Sequence, residues 1–132
     1  MSSIKKTIQY DLEERTGRFG ETIILFCKTL SKNIVNDVLI KQIVRAATSV
    51  GANYCEANGA CSRKDFKNKI FLCKKEVQET KHWIKMLQVA VPEKKEVLQK
   101  SWEEAQELTL IFQKILSSLH KSDTENSMKI DT

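Results

Sequence analysis

The sequence predicts an all-α protein made of four long helices in one domain, residues 1–121. A chain of 132 residues of which 41% are apolar has enough material for a single hydrophobic core. One proline and four glycines are too few for the frequent turns of a β-sandwich or a β-barrel. Apolar residues also recur at steps of three and four over long stretches, which is typical of helices that pack lengthwise.

The first helix is predicted at residues 11–32, and residues 1–10 are expected to form an arm or a fraying first turn. Inside this helix lie Gly17 and Gly20, each of which costs about 0.8–1.0 kcal/mol relative to alanine. We therefore expect close packing against a neighbouring helix, or a local kink, at these glycines. The apolar stripe of the helix contains Leu12, Phe19, Ile23, Phe26 and Leu30.

The second helix is predicted at residues 36–59, with Asn36 and Asp37 as its N-terminal cap. One polar residue, Asn53, falls on its core-facing seam, where an unpaired amide costs on the order of 1–3 kcal/mol. We expect Asn53 to bond a fixed partner and so to set the register of packing. The seam consists of Leu39, Ile43, Ala46, Val50, Asn53 and Ala57.

The third and fourth helices are predicted at residues 62–91 and 92–120. Ser62 is the expected N-cap of the third helix, with Asp65 completing a capping box. Pro92 fits the first position of the fourth helix, and the turn before it is short, so these two helices should be antiparallel neighbours. The polar, acidic tail at residues 122–132 is expected to be disordered.

The third helix combines a core seam with most of the positive charge of the protein. Residues 62–91 hold eight Lys or Arg against three Asp or Glu, and this excess equals the net charge of +5 of the whole chain. The lysines recur every seven residues beside an apolar seam, about 10.5 Å apart along the helix. Candidate phosphate-binding residues are therefore Lys64, Lys67, Lys74, Lys81 and Lys85. Since few aromatic residues are expected to be free, binding to RNA or DNA should be salt-sensitive and independent of sequence.

A second set of polar residues on the second and third helices has a structural interpretation. Glu76 and Glu79 could belong to a di-metal carboxylate site, but such bundles need matching Glu and His ligands on facing helices. We expect instead that these acids pair with Arg45, or with Lys69 and Lys75, and orient the helices. The predicted structural network comprises Arg45, Asn53, Glu56, Glu76 and Glu79.

Catalysis, metal binding and membrane insertion find no support in the sequence. The four cysteines form no C-x-x-C pair, and His82 and His120 lie apart, so we predict no metal, no cofactor and no enzymatic activity. Free thiols fit a reducing cytoplasm. The N-terminus lacks the apolar region of a signal peptide, and no segment is long and apolar enough to span a membrane.

Motifs on the second and third helices resemble those of the bacterial four helix bundle protein family, also called the 23S rRNA intervening-sequence protein family. Similar members carry R-x-x-x-S-V-x-A-N-x-x-E-A, then S-x-x-D-F-x-x-K, then K-E-x-x-E-T-x-x-W. In this sequence the motifs begin at Arg45, Ser62 and Lys75 and end at Ala57, Lys69 and Trp83. The opening DLEERTGRF is also similar, so that the resemblance covers roughly residues 10–90.

The resemblance implies a left-handed, antiparallel up-down bundle that assembles as a homopentamer and has no established catalytic activity. A similar accessory protein of retroelements works with nucleic acid and a reverse transcriptase, which are therefore expected partners. Two hypotheses of function remain open from the sequence: nucleic-acid binding, and a protein-interaction scaffold or homo-oligomer without a nucleic-acid role. A metal-carboxylate enzyme is a weaker third alternative.

Overall fold

The computed structural model describes the backbone of residues 2–130 and the side chains of residues 12–127, and it consists of four packed helices. No β-strand occurs in this part of the chain. The predicted fold class, an all-α four-helix bundle, is confirmed. The helices are α1 (Ser2–Cys27), α2 (Ile34–Asn58), α3 (Arg63–Ala90) and α4 (Lys95–Ile130), and α4 is preceded by a 3₁₀ turn at Pro92–Lys94.

Helices that are consecutive in sequence pack side by side and run in opposite directions. Lys74 of α3 meets Gln113 of α4, whereas Lys81, further along α3, meets Gln106, earlier in α4. The helix α1 lies close to α2 and approaches α4 less closely, which closes the ring of four. The side between α1 and α4 is therefore the most open side of the bundle.

The apolar seams predicted from the sequence meet at the centre of the bundle. Most residues of the α1 and α2 seams are buried and the others are partly buried, and Thr80 of α3 is buried between Val77 and Ile84. In α2 the predicted Ile43, Ala46, Val50 and Ala57 are buried, and the core-facing side also includes Tyr54, whereas Asn53 is only partly buried. Side chains with at most 1% exposure include Ile23, Ile43, Val50, Ile70, Val77, Ile84, Leu87, Leu98, Leu108 and Phe112.

Two glycines lie where α1 and α2 are in close contact. A Cβ atom added at Gly20 would lie 3.4 Å from the Cα atom of Thr48, and one at Gly51 would lie 3.4 Å from the backbone oxygen of Thr16. The expectation of close packing is therefore correct at Gly20. Gly17 differs, because a Cβ there would have no neighbour within 4 Å.

The ends of α1 and the start of α2 differ from the prediction. The helix α1 begins at Ser2 rather than at residue 11, since residues 2–10 include neither proline nor glycine to stop it. It ends at Cys27 rather than at residue 32, because Thr29 and Leu30 donate to carbonyls three residues back and tighten the last turn. The cap of α2 is Asn33, whose side chain accepts from the backbone N–H of Asn36.

The helix α3 begins as predicted, whereas α4 begins at Lys95 rather than at residue 92 and extends beyond residue 120. The Ser62 hydroxyl accepts from the backbone N–H of Asp65 at 3.0 Å, which confirms the N-cap. The expected disordered tail at residues 122–132 is helical as far as Ile130, and residues 131 and 132 lie outside the described part. An ion pair of 2.7 Å between Asp123 and Arg63 fastens this extension to α3.

Candidate nucleic-acid interface

Most of the charged residues of α3 fall into two rows on opposite sides of its buried seam. Steps of three and four residues place side chains on one line along a helix. We call the first line the lysine row; it contains Lys64, Lys67, Phe71, Lys74, Gln78, Lys81 and Lys85. The second, the α2-facing row, contains Asp65, Lys69, Leu72, Glu76, Glu79 and Trp83. All three carboxylates of α3 therefore lie on the α2-facing row, and all five lysines predicted to bind phosphate lie on the other.

The lysine row borders α4, where its partners are mostly uncharged. The ammonium groups of Lys74 and Lys81 donate to the side-chain oxygens of Gln113 and Gln106. Lys81 and Lys85 also place their Nζ atoms 4.7 Å and 4.9 Å from the centre of the Trp102 ring. Amide and ring partners do not neutralise an ammonium group, so these lysines keep their positive charge available to an anion.

One carboxylate, Asp123, reaches the lysine row from the end of α4. It lies 2.7 Å from Nε of Arg63 and 3.6 Å from Nζ of Lys67. The hydrogen bond from Arg63 is the main cause that lowers the pKa of the Asp123 carboxyl. The acidic segment thus partly neutralises the N-terminal end of the row.

The aromatic residue of the lysine row, Phe71, was missed in the sequence analysis. Its side chain is 57% exposed, although its neighbours Ile70 and Cys73 are fully buried. The signal was present in the sequence, since position 71 lies four residues after Lys67 and three before Lys74 and is off the apolar seam. The expectation of few free aromatic residues does not hold at this position.

The α2-facing row forms the polar network between α2 and α3. Arg45 donates to Glu79 and, at 3.4 Å, to Glu76. Burial, followed by the neighbouring charge of Glu79, raises the pKa of Glu76, and the hydrogen bond to Glu79 is the main cause that raises the pKa of Arg45. Glu56 instead pairs with Lys69 at 2.7 Å.

Asn53 does not bridge helices as its predicted role required. Its amide donates to the backbone oxygen of Ser49 at 2.8 Å, within α2 itself. The core-facing side of α2 includes Tyr54, and Asn53 lies beside it. The Asn53 amide therefore forms its hydrogen bond within α2. The register of α2 against α3 is marked instead by the ion pairs of Arg45 and Glu56.

Neither the Glu-x-x-His sequence of α3 nor the four cysteines form a metal site within residues 12–127. Glu79 and His82 have a Glu-x-x-His spacing, but Glu79 is bound by Arg45, and the His82 ring packs edge-on at 4.8 Å against Trp83. Within residues 12–127, no group of three or more His, Cys, Asp or Glu side chains could hold a metal ion. All four cysteines are free thiols, two of them buried and two exposed.

Along the described helices, no segment is both long and apolar enough to cross a lipid bilayer.

A comparison with models of protein families shows which family the chain belongs to. The family model described as 23S rRNA-intervening sequence protein matches residues 9–114, which is most of the bundle. The chain belongs to the 23S rRNA-intervening sequence protein family. The match includes α2, α3 and both polar rows of α3, so the resemblance seen in the sequence motifs is confirmed.

A solved structure supports this family assignment. It is the crystal structure of a protein with unknown function, from the S23 ribosomal protein family of Bacteroides thetaiotaomicron. It is 30% identical to this chain with a TM-score of 0.73, and the match covers 83% of this chain and 97% of the other. No curated protein matches the sequence.

Proposed function

We propose that this 23S rRNA-intervening sequence protein is a non-enzymatic, cytoplasmic protein that binds the phosphate backbone of nucleic acids through the lysine row of α3. The observation that carries this proposal is the separation of charge on α3. Five lysines share one line with no carboxylate, whereas Asp65, Glu76 and Glu79 lie on the other side of the helix. A cationic line of this kind attracts a polyanion and does not neutralise itself.

The geometry of the row favours contact with phosphates over reading of bases. Successive lysines at seven-residue steps are about 10.5 Å apart, close to the length of three phosphates along one strand of a duplex. Lysine side chains are flexible point charges and do not form the bidentate contacts that identify a base. We therefore expect affinity that falls steeply with salt and depends little on sequence.

The names of the relatives make RNA the first ligand to test. The family is described by an intervening sequence of 23S rRNA, and the Bacteroides relative is assigned to a ribosomal protein family. Neither name states what those proteins bind. RNA is nevertheless the nucleic acid that both names mention or imply.

Electrophoretic mobility shifts with a structured RNA at increasing salt test the proposal. The Lys67/Lys74/Lys81→Glu variant should bind far more weakly and show a shallower salt dependence, by about 0.7–0.9 in log–log slope for each phosphate that the protein no longer neutralises.

The matched control is Lys28/Lys32/Lys41→Glu, which changes the net charge equally at exposed lysines of α2 and the loop before it. No binding by the wild type at about 50 mM salt, where phosphate contacts are weakly screened, would remove the proposal. Equal weakening in both variants would show that only net charge matters.

Exposed apolar residues favour a second property, assembly into homo-oligomers, and the family resemblance implies five copies. Eight large apolar side chains are at least 37% exposed around the end of the bundle where α1 and α3 finish and α2 and α4 start. We call this set the apolar end: Ile24, Leu25, Ile34, Val35, Val38, Met86, Val89 and Val97. An apolar surface of this kind marks a protein contact more often than a nucleic-acid contact. A scaffold with no nucleic-acid role is the alternative if the mobility-shift experiment fails.

A further inference from the structure

We propose that Phe71 is a stacking platform for an unpaired base, so that the preferred ligand of the lysine row is single-stranded nucleic acid. This inference rests on the proposed function and names the class of ligand. The observation that supports it is that the exposed aromatic ring of Phe71 lies in the middle of the lysine row.

The position of Phe71 between two lysines suits a strand that runs along α3. Phe71 lies about 6 Å along the helix axis from Lys67 and about 4.5 Å from Lys74. Lys64 lies two turns before it on the same line. Phosphates held by Lys67 and Lys74 would therefore bring a base of the nucleotides between them within reach of the Phe71 ring.

Burial and charge both indicate that the ring is available. Phe71 is the only exposed Phe, Tyr or Trp among the side chains of residues 12–127, with 57% of its surface in contact with solvent. No carboxylate lies on its line of the helix. A base would cover this apolar surface, and the surrounding ammonium groups would bind the phosphates attached to that base.

The other aromatic residue near the row is less suited to this role. Trp102 of α4 is only partly exposed, and its ring already lies against the ammonium groups of Lys81 and Lys85 at 4.7 Å and 4.9 Å. A base would have to displace these cations to stack there. Among the side chains of residues 12–127, no such cation lies over the ring of Phe71.

A single strand and a duplex should use the row differently. Bases in a duplex are already stacked on one another, so a duplex gains only phosphate contacts from this surface. An unpaired base can lie on the ring, and such stacking is worth about 1–3 kcal/mol per base by alanine substitution. Single strands should therefore bind more tightly, and part of that affinity should persist at high salt.

The experiment compares Phe71→Ala with the wild type for two probes, an oligouridine of about 12 nucleotides, within the usual site size of single-strand binders, and an RNA duplex of equal length. We expect Phe71→Ala to weaken binding of the single strand about 5- to 150-fold and to change duplex binding by less than about 2-fold, since phosphate contacts remain. Phe71→Trp should retain the affinity and show quenched tryptophan fluorescence on binding. The matched control is Leu110→Ala, which removes an apolar side chain that is about as exposed as Phe71 and lies outside the apolar end.

The outcomes separate this inference from the proposed function. If the lysine variant no longer binds but Phe71→Ala binds the single strand as tightly as the wild type does, stacking is refuted and phosphate binding stands. If Phe71→Ala weakens both probes equally, or changes the sedimentation of the protein, Phe71 supports the fold or a contact between copies and the inference is overturned. If the wild type binds neither probe at low salt, the proposed function fails as well.

Discussion

Individual side chains decide how readily the lysine row can accept a phosphate. Lys74 and Lys81 donate to neutral glutamine oxygens, which a phosphate can replace without exposing a buried charge. Lys67 differs, because it faces the carboxylate of Asp123 at 3.6 Å. Asp123 is thus the described residue whose removal should most directly change the affinity of the row.

We predict that Asp123→Asn strengthens binding of RNA a few-fold at low salt, since a competing anion is removed from Arg63 and Lys67. The gain should shrink as salt is added, because exposed charges are screened. Fluorescence anisotropy at two salt concentrations measures the effect. Glu21→Gln, which removes an equal charge from α1, is the control; an equal gain there would show that the effect is one of net charge.

Thiol reactivity should divide the four cysteines into two pairs. Burial raises the pKa of Cys27 to about 11 and that of Cys73 to about 12, whereas Cys55 and Cys61 are exposed. Since the raised pKa values exceed the ordinary value of 9.0, these two thiols stay protonated near neutral pH and ionise only as pH rises toward them. A thiol reagent at pH 8 should modify two cysteines in the native protein and four in denaturant. Rapid native labelling of Cys73, located by mass spectrometry, would contradict the packing of α3.

At the scale of the helices, α3 is oriented by two different kinds of contact. Its α2-facing row carries ion pairs to Arg45 and Glu56, and its lysine row carries weaker polar contacts to α4. The positions of Glu76 and Glu79 in the helix place them on the side of α3 away from the lysine row, and the ion pairs with Arg45 hold them against α2. The polar network and the proposed nucleic-acid surface therefore occupy different sides of α3.

We predict that Arg45→Ala lowers the free energy of unfolding by about 1 kcal/mol at pH 7, because Glu76 and Glu79 then repel each other. The pKa of Glu76 is already raised in the folded protein, so folding is favoured by protonation and this penalty should diminish as pH falls toward the carboxyl range. Urea denaturation at neutral and acidic pH measures the difference. Glu76→Gln in the Arg45→Ala background should recover part of the stability; a penalty independent of pH would show that Arg45 acts only through packing.

Substitutions at two glycines of α1 should have opposite effects on the free energy of unfolding, because a side chain would meet α2 at only one of them. Gly17→Ala should raise the free energy of unfolding by about 0.8–1.0 kcal/mol, because the new methyl group meets no atom within 4 Å and favours the helix. Gly20→Leu should destabilise, since its Cβ would already lie 3.4 Å from the Cα atom of Thr48. Chemical denaturation of both variants measures whether the free energy of unfolding rises or falls. Destabilisation by Gly17→Ala would mean that another surface covers this position.

At the scale of the whole molecule, charge and apolar exposure occupy different parts of the bundle. The lysine row extends along α3 beside α4, whereas most of the large exposed apolar side chains belong to the apolar end. One chain could therefore contact other copies through its end and still leave the long side of α3 open to a nucleic acid. Assembly would repeat the lysine row, and binding of one strand by several copies would raise the overall affinity.

Sedimentation of the purified protein should show a mass greater than that of the 15.2 kDa chain. The Ile34→Asp/Val38→Asp variant should shift this mass toward the monomer, because it places charge within the apolar end. Leu110→Asp, which is 58% exposed in the wild type and lies outside the apolar end, should leave the mass unchanged. A monomeric wild type at micromolar concentration would contradict the assembly prediction.

The sequence by itself determined the fold class, the Ser62 cap and most of the core, because these depend on local periodicity and on short-range hydrogen bonds. Helix ends were less predictable: α1 starts earlier and α4 continues further, since nothing in those segments stops a helix. The family motifs were also visible in the sequence, because they lie on a continuous stretch of α2 and α3.

Only the tertiary structure decided which side of each helix faces which neighbour. Tyr54 of α2 is buried and its neighbour Asn53 only partly so, and apolar periodicity alone does not decide between these two positions. The contacts of Asp123 with Arg63 and Lys67 join residues about sixty positions apart, a separation far beyond the range of any local pattern. Phe71 differs from these cases, because its position off the apolar seam was visible in the sequence, and the structure adds that no described helix covers its side chain, which stays 57% exposed.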